Sequence, residues 1–214
     1  MDMDTTIKGI ALKEEKIKEV VDEIININVE DGIKFEIKDI SYIREEDEYE
    51  NFRISLIANI GKTKNPMKLD LTTGDAITPR EIEYTYPCIF TKEDIKIMAY
   101  PLETILAEKY ETIIRRNITT TRMRDFYDIY TLYKLKKDEI NYEILKEAVE
   151  RTSDKRGSQE IIKDYEEIIE DIKEDSYLRS LWEVYLSENK YIGDLTFDKV
   201  VDVVITISNR VSEM

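Results

Sequence analysis

Near Pro101 the spacing of the apolar residues changes from alternation to helical spacing, and that change limits the available folds more than any other feature. Before that point, several segments between residues 33 and 71 alternate apolar and polar side chains, as sheet strands with one buried face do. The longest alternating set is Phe52, Ile54, Leu56, Ala58 and Ile60. After Pro101 the apolar residues recur at helical spacing almost to the end. Segregated strands and helices predict an α+β fold.

Alternation also predicts strands at 33–37 and 67–71 and a short strand at 95–98, with a turn over Gly61 to Pro66. An amphipathic helix is predicted from Leu12 to Ile27. The later predicted helices are, in order, 102–115, 122–135, 142–150, 159–172, 177–187 and 197–211. We predict two domains, residues 1–118 and a mostly α-helical domain of residues 119–214.

Composition excludes several classes of function. The formal charge of −15 argues against a general nucleic-acid coat, because neutralising phosphates needs excess Lys and Arg. The chain has no histidine, which excludes imidazole-dependent triads and His-ligated metal sites. With a single cysteine, Cys88, no basic leader and no membrane-length apolar run, we expect a cytoplasmic protein without contact to membranes.

Charge is unevenly distributed. Residues 115–137 contain seven basic and two acidic residues, so this stretch either meets a polyanion or complements the carbonyl end of a helix. Residues 138–190 contain sixteen acidic and eight basic residues. That surface either binds a basic partner or is a solvated helical face.

Three carboxylates are candidates for a metal site. In a strand, Asp2 and Asp4 point to the same side, and Asp70 lies with Lys68 on the polar face of the strand at 67–71. Carboxylate oxygens are what Mg²⁺ requires, and a third carboxylate fits a metal ligand or a general base. The alternatives are a solvated terminus for the first pair and an ordinary edge strand for Asp70.

A second candidate group lies on the predicted helices. Lys109 falls on the apolar stripe of its helix, so it must snorkel, pair with a carboxylate or meet a ligand such as a nucleotide phosphate. Asp125 lies beside the buried stripe of the next helix, where it can hold Lys109. Pairing of Arg122 with Asp125 and of Arg124 with Asp128 can equally be a surface feature, worth about 0.2–0.5 kcal/mol each.

Taken in order, these motifs resemble the series of the AbiEii/AbiGii toxin family, the nucleotidyltransferase-like toxins of bacterial abortive-infection systems. The resemblance covers about residues 1–135. Its motifs are Asp2-Met3-Asp4, Lys68-Leu69-Asp70 with Thr73-Gly74-Asp75, Leu102 to Lys109, and Arg122-Met123-Arg124-Asp125-Phe126-Tyr127-Asp128.

The resemblance implies a nucleotidyltransferase-like small mixed sheet with flanking helices, a helical second domain and a role in phage defence. It implies a nucleoside triphosphate substrate with Mg²⁺ or Mn²⁺, an antitoxin from the neighbouring gene, and tRNA or another RNA, or a protein, as acceptor. It assigns Asp2, Asp4 and Asp70 to the metal and, with Asp125, to catalysis. Contacts to the nucleotide fall to Lys68, Lys109 and Arg122.

One departure from the family concerns the N-terminus. The family places a glycine-rich element upstream of its Asp-x-Asp, where backbone N–H groups hold the triphosphate. Here only Met1 precedes Asp2. We therefore expect an N-terminally truncated chain that folds but binds nucleotide poorly.

Three hypotheses about function follow. The first is a metal-dependent nucleotidyltransferase toxin. The second is a catalytically inactive nucleotidyltransferase-like scaffold that acts through protein contacts. The third is a metal-dependent nuclease or phosphohydrolase that uses the same carboxylates with water as the nucleophile.

Overall fold

The computed structural model describes residues 2–8, 13–43, 51–88 and 94–212. The chain divides into two compact units, residues 1–75 and residues 76–214. Strands concentrate in the first unit and helices in the second, which confirms the predicted α+β class with a small mixed sheet.

The first unit is a four-stranded sheet with one helix. Its strands, in the spatial order β1-β4-β3-β2, are β1 Asp2–Ile7, β2 Ile33–Tyr42, β3 Phe52–Ile60 and β4 Thr63–Thr73. Strands β1 and β4 are parallel and the other pairs are antiparallel, so the sheet is mixed. Helix α1, Glu14–Ile25, lies between β1 and β2 in the chain. Leu12, where the predicted helix began, lies outside the described residues.

One face of this sheet forms the core of the first unit. Ile17 and Val21 of α1 cluster with Phe52 and Ile54 of β3 and with Leu71 of β4. Phe52 and Ile54 are fully buried. Because side chains alternate along a strand, residues 53, 68 and 70 lie on the opposite, polar face.

The predicted turn over Gly61 to Pro66 was wrong in its length. Strand β3 ends at Ile60, which pairs with Thr63 of β4 across a tight turn where Gly61 has a φ of +59°. Pro66 therefore lies inside β4. Proline has no backbone N–H to donate. It is tolerated here because the described pairing of β4 with β1 begins only at Lys68, so no hydrogen bond to β1 is needed at residue 66.

The second unit begins with a two-stranded antiparallel ribbon and continues as helices. Its strands are β5 Ile82–Tyr86 and β6 Ile95–Ala99. Its helices are α2 Leu102–Arg116, α3 Met123–Lys136, α4 Tyr142–Lys155, α5 Gln159–Lys163, α6 Tyr165–Glu174, α7 Ser176–Glu188 and α8 Phe197–Ser212. The prediction of one helix over 159–172 was wrong, since the segment forms α5 and α6 with a break at Asp164.

The helices of the second unit share one core. The indole of Trp182 is fully buried, lies against Phe197 and donates its N–H to the Leu195 carbonyl at 2.9 Å. Phe126 of α3 and Tyr110 of α2 belong to the same cluster. The predicted domain boundary at residues 118 and 119 thus falls between two helices that pack in one core, and the compact units divide at residues 75 and 76.

No helix in the described part of the chain is long and apolar enough to cross a membrane.

Candidate functional site

The parallel pairing of β1 with β4 sets two carboxylates side by side. Asp4 lies opposite Asp70, and Asp2 lies opposite Lys68. Neighbouring residues in register project from the same face of a sheet, so Asp4 and Asp70 share the polar face. The side chain of Asp2 is not described. The register thus brings together the Asp4, Lys68 and Asp70 positions that the sequence singled out.

Side-chain hydrogen bonds fix the end of β1 to β4. The Thr72 hydroxyl lies 2.8 Å from the Thr6 hydroxyl and 2.5 Å from the Asp75 carboxylate. Thr6 also donates to Asp75. One residue earlier, the Thr5 hydroxyl donates to the Asp70 carbonyl at 3.2 Å. These contacts hold the segment that carries Asp4 in place beside Asp70.

Asp70 is also held from its other side, by Arg53 of β3. The two residues are directly opposite in the β3–β4 register. Arg53 Nε donates to Asp70 Oδ1 at 2.8 Å, and its Nη2 donates to Oδ2 at 2.7 Å. This is a two-pronged pair, the strongest geometry between these groups, and it engages both oxygens of the carboxylate.

The donor set fits a divalent metal that shares its coordination with a substrate. Mg²⁺ is commonly held by one or two carboxylates together with water and substrate phosphates. Asp4 and Asp70 supply such a pair. Within the described residues, no cluster of three or more acidic or cysteine side chains is arranged to hold a metal ion. Two carboxylates would leave the remaining positions of such an ion to water and phosphate oxygens.

The second unit holds Lys109 between carboxylates. Its ammonium lies 2.7 Å from Asp128 Oδ2 and 3.3 Å from Asp125 Oδ1. Arg122 Nε donates to the other oxygen of Asp125 at 2.6 Å. Of the three alternatives for Lys109, the structure shows pairing, with Asp125 as considered and with Asp128 as the closer partner.

Burial differs sharply within this group. The Asp125 side chain is only 6% exposed, and those of Lys109 and Asp128 are about one-fifth to one-quarter exposed. Arg122 is half exposed and Arg124, 3.7 Å from Asp128, is 80% exposed. A nearly buried carboxylate needs its cationic partners because desolvation penalises its charge. The Arg122–Asp125 pair is thus anchored in the fold, whereas the Arg124–Asp128 pair is a surface feature.

A tyrosine pair lies close to Asp128. Burial raises the pKa of the Tyr185 phenol, and a hydrogen bond with Tyr191 raises it further. The negative charge of Asp128 acts in the same direction, and Arg124 opposes it. Tyr185 consequently stays a neutral phenol at neutral pH.

Helix α3 also borders an open groove of about 460 Å³. Its lining residues are Tyr127, Tyr130, Thr131, Lys134, Leu135, Ile192, Asp194, Leu195 and Lys199. The ammonium of Lys134 lies 5.7 Å from the centre of the Tyr130 ring. The groove therefore combines two aromatic rings and two lysines with one acidic residue, Asp194.

Sequence reasoning missed Arg53, Tyr185 and the closer partner of Lys109. Arg53 alternates with Phe52 and Ile54, which places it on the polar face of β3, but its partner depends on strand register. Asp128 was recognised only as a partner of Arg124, although its spacing from Asp125 puts both on neighbouring turns of one helix face.

Comparison with known proteins gives one family match and two structural likenesses. Residues 1–203 match the family described as nucleotidyl transferase AbiEii toxin, type IV toxin–antitoxin system. A solved structure of a candidate nucleotidyltransferase from H. pylori is 20% identical, with a TM-score of 0.45, over 99% of this chain and 79% of that one. JHP933 from Helicobacter pylori is 20% identical, with a TM-score of 0.44, over 99% and 77%. No curated protein matches the sequence.

Proposed function

The chain belongs to the AbiEii nucleotidyltransferase toxin family of type IV toxin–antitoxin systems, and on that premise we propose that it transfers a nucleotide from a nucleoside triphosphate to an RNA acceptor. The observation that supports this most directly is the register that sets Asp4 beside Asp70. A carboxylate pair on the open face of a sheet suits a reaction whose substrate brings its own phosphate ligands.

Asp4 and Asp70, with Asp2 as a third candidate, are the residues that would hold Mg²⁺ or Mn²⁺. When bound, such an ion neutralises charge on the phosphate oxygens of the substrate. The chain's own contribution is to fix Asp4 through the Thr6, Thr72 and Asp75 contacts and to keep Asp70 oriented through its register. Asp70 serves as a metal ligand or takes the proton of the attacking hydroxyl.

In the transfer, the acceptor hydroxyl oxygen forms a bond to the α-phosphorus while the bond to pyrophosphate breaks. Lys68 shares the polar face with Asp70 and is assigned to the nucleotide. The family resemblance assigns Lys109 to a phosphate, and within the second unit Asp125 and Asp128 keep its ammonium oriented while Arg122 completes the group. Preorganised charges of this kind supply most of the rate in phosphoryl transfer.

An RNA acceptor suits the surroundings of α3. The groove lined by Tyr127, Tyr130, Lys134 and Lys199 offers rings on which unpaired bases stack and cations for the backbone. Arg124 is largely exposed on the same helix.

In a type IV system the toxin has an antitoxin counterpart, which we assign to the neighbouring gene. We assign the activity to the cytoplasm, where tRNA and nucleoside triphosphates are available.

The test is transfer of label from each α-³²P nucleoside triphosphate to total RNA with Mg²⁺. Asp4→Asn and Asp70→Asn should each lower transfer by about 100-fold or more, since each removes a charge that acts on the transition state. Asp39→Asn, an exposed carboxylate on β2 of the same sheet, is the matched control and should leave transfer unchanged. Equal transfer by the wild type and the three variants would contradict the assignment of Asp4 and Asp70 to the reaction.

An inactive scaffold is the second candidate, favoured by the fact that Arg53 already engages both oxygens of Asp70. Calorimetry with Mg²⁺ and a nucleoside triphosphate separates the two. The enzyme should give binding heat that Asp4→Asn abolishes, whereas a scaffold should give none. Release of free nucleotide or cleaved RNA in place of an adduct would assign hydrolysis.

A further inference from the structure

Arg53 occupies the position where a cation would approach Asp70. Its guanidinium donates to both carboxylate oxygens, at 2.8 and 2.7 Å, from the neighbouring strand β3. The Asp70 side chain is 17% exposed and that of Arg53 is 41% exposed. The pair is therefore partly shielded, but solvent and solutes reach its outer side.

A divalent ion and the guanidinium compete for the same carboxylate. A magnesium ligand oxygen lies about 2.0–2.1 Å from the ion, much closer than a hydrogen-bond donor. Each carboxylate oxygen keeps a further lone pair, so the ion can bind beside Arg53, but two positive groups then lie only a few ångströms apart. Binding of the ion must displace the guanidinium or proceed against its charge.

The same pair gives Arg53 a role when no ion is bound. Asp4 and Asp70 are neighbours in register on one face. Two carboxylates so placed repel each other, and a guanidinium on one of them offsets that repulsion. Arg53 therefore stabilises the arrangement that the ion later uses.

We propose that Arg53 is a positioning residue that acts as the resident counter-cation of the metal site and keeps its affinity for free divalent metal low. This inference rests on the proposed function, because it takes Asp4 and Asp70 as the metal ligands. The phosphate oxygens of a bound nucleotide add metal ligands and negative charge. A metal ion that arrives with a nucleotide therefore binds despite the positive charge of Arg53, whereas a free ion binds weakly.

The test measures Mn²⁺ binding to the full chain without nucleotide, by the electron paramagnetic resonance signal of free Mn²⁺. Arg53→Gln removes the charge and keeps a polar side chain. Arg53→Gln should bind Mn²⁺ roughly tenfold more tightly than the wild type, because it removes the repulsion between the guanidinium and the doubly charged ion at short range in water. Arg53→Lys keeps the charge and should stay within about threefold of the wild type.

Lys64→Gln is the matched control. Lys64 lies on β4, exposed, and pairs with Asn59 at the far end of that strand from Asp70. Its substitution changes the net charge equally and should leave Mn²⁺ binding within about twofold, since screening weakens charges beyond about 10 Å. Binding by Arg53→Gln that is equal to or weaker than that of the wild type would overturn the role of Arg53.

Asp4→Asn separates this inference from the proposed function. If Asp4→Asn abolishes Mn²⁺ binding while Arg53→Gln leaves it unchanged, only the role of Arg53 fails. If no protein shows binding that depends on Asp4, the metal assignment fails and this inference fails with it.

A second measurement on the wild type applies even if Arg53→Gln does not fold. The Nε–H resonance of Arg53, assigned by its loss in Arg53→Lys, should shift and reach a plateau as Mg²⁺ is added. A resonance that does not move while metal binds would overturn the proposal.

Discussion

At the scale of single residues, the two cation–carboxylate groups of this protein differ in what burial demands of them. Arg53 and Asp70 lie on the polar face of the sheet, and the Arg53 side chain is 41% exposed, so water can take over its contacts more readily than those of a buried cation. Asp125 is nearly buried, and its charge depends on Lys109 and Arg122. The first pair is suited to exchange its cation, whereas the second is suited to hold one in place.

Lys109→Met should therefore destabilise the protein as well as weaken nucleotide binding. Methionine has a similar length but leaves Asp125 with Arg122 and Asp128 with Arg124 as the cations nearest to them. We expect a loss of about 1–2 kcal/mol in the free energy of unfolding, measured by urea denaturation, because a shielded carboxylate loses a charged partner. Calorimetry with nucleoside triphosphate measures the loss of binding.

Arg124→Ala is the control for this prediction. Arg124 is 80% exposed and 3.7 Å from Asp128, so its removal should change the free energy of unfolding by no more than about 0.5 kcal/mol. If Lys109→Met were as stable as Arg124→Ala, the carboxylates would not depend on Lys109.

The sequence allows some of these pairings to be anticipated and conceals others. Lys109 was recognisable because a charge on an apolar helical stripe requires a partner, and Asp125 lies at the edge of the next stripe. Arg53 was not recognisable as the partner of Asp70, because the turn between β3 and β4 fixes the register and its length was misjudged. A turn shifted by one residue would have placed Arg53 beside an apolar neighbour.

At the scale of elements, β1 depends on its attachment to β4. It is a six-residue strand at the edge of the sheet, and among the described strands it pairs with β4 alone. Backbone pairing with β4 runs along its length, and the contacts of Thr6, Thr72 and Asp75 secure its C-terminal end. The position of Asp4 thus follows from side chains two or more residues away.

Thr72→Val should loosen β1 without altering the strand propensity of β4. Valine is also β-branched and of similar shape, but it lacks the hydroxyl that contacts Thr6 and Asp75. Loss of these contacts should cost about 1–2 kcal/mol and speed amide exchange over residues 2–7, measured by mass spectrometry. Mn²⁺ binding should weaken in parallel.

Thr63→Val, at the exposed start of β4 beside the turn, is the matched control. Its exchange over residues 2–7 should equal that of the wild type. Unchanged exchange in Thr72→Val as well would mean that backbone pairing alone holds β1.

Strand β5 was not predicted from the apolar pattern. Ile82, Tyr84 and Tyr86 alternate with polar residues, so the signal was present, but it spans only five residues and follows an irregular stretch. Pairing with β6 places these side chains on one face with Ile95 and Ile97. Short strands of this kind depend on a partner that local sequence does not identify.

At the scale of the whole molecule, the described residues form two hydrophobic cores. One combines α1 with the four-stranded sheet. The other joins the helices of the second unit and contains Trp182, the single tryptophan of the chain. Periodicity anticipated both cores. The boundary predicted at 118 and 119 lies after α2, whereas the core of the second unit includes α2, which packs on α3 and α4.

A fragment of residues 76–214 should therefore fold by itself. Its buried aromatic and aliphatic side chains, among them Tyr110, Phe126 and Trp182, all belong to its own core. We expect the fragment to show the tryptophan emission of a buried indole and one cooperative urea transition.

In that fragment, Leu145→Ala, at a fully buried position of α4, should lower the free energy of unfolding by about 2–5 kcal/mol, because it leaves a cavity in that core. The same change at Leu135, which is 74% exposed, should have an effect of about 0.5 kcal/mol or less. Emission typical of exposed indole, or equal effects at both leucines, would show that residues 76–214 do not form this core without the rest of the chain.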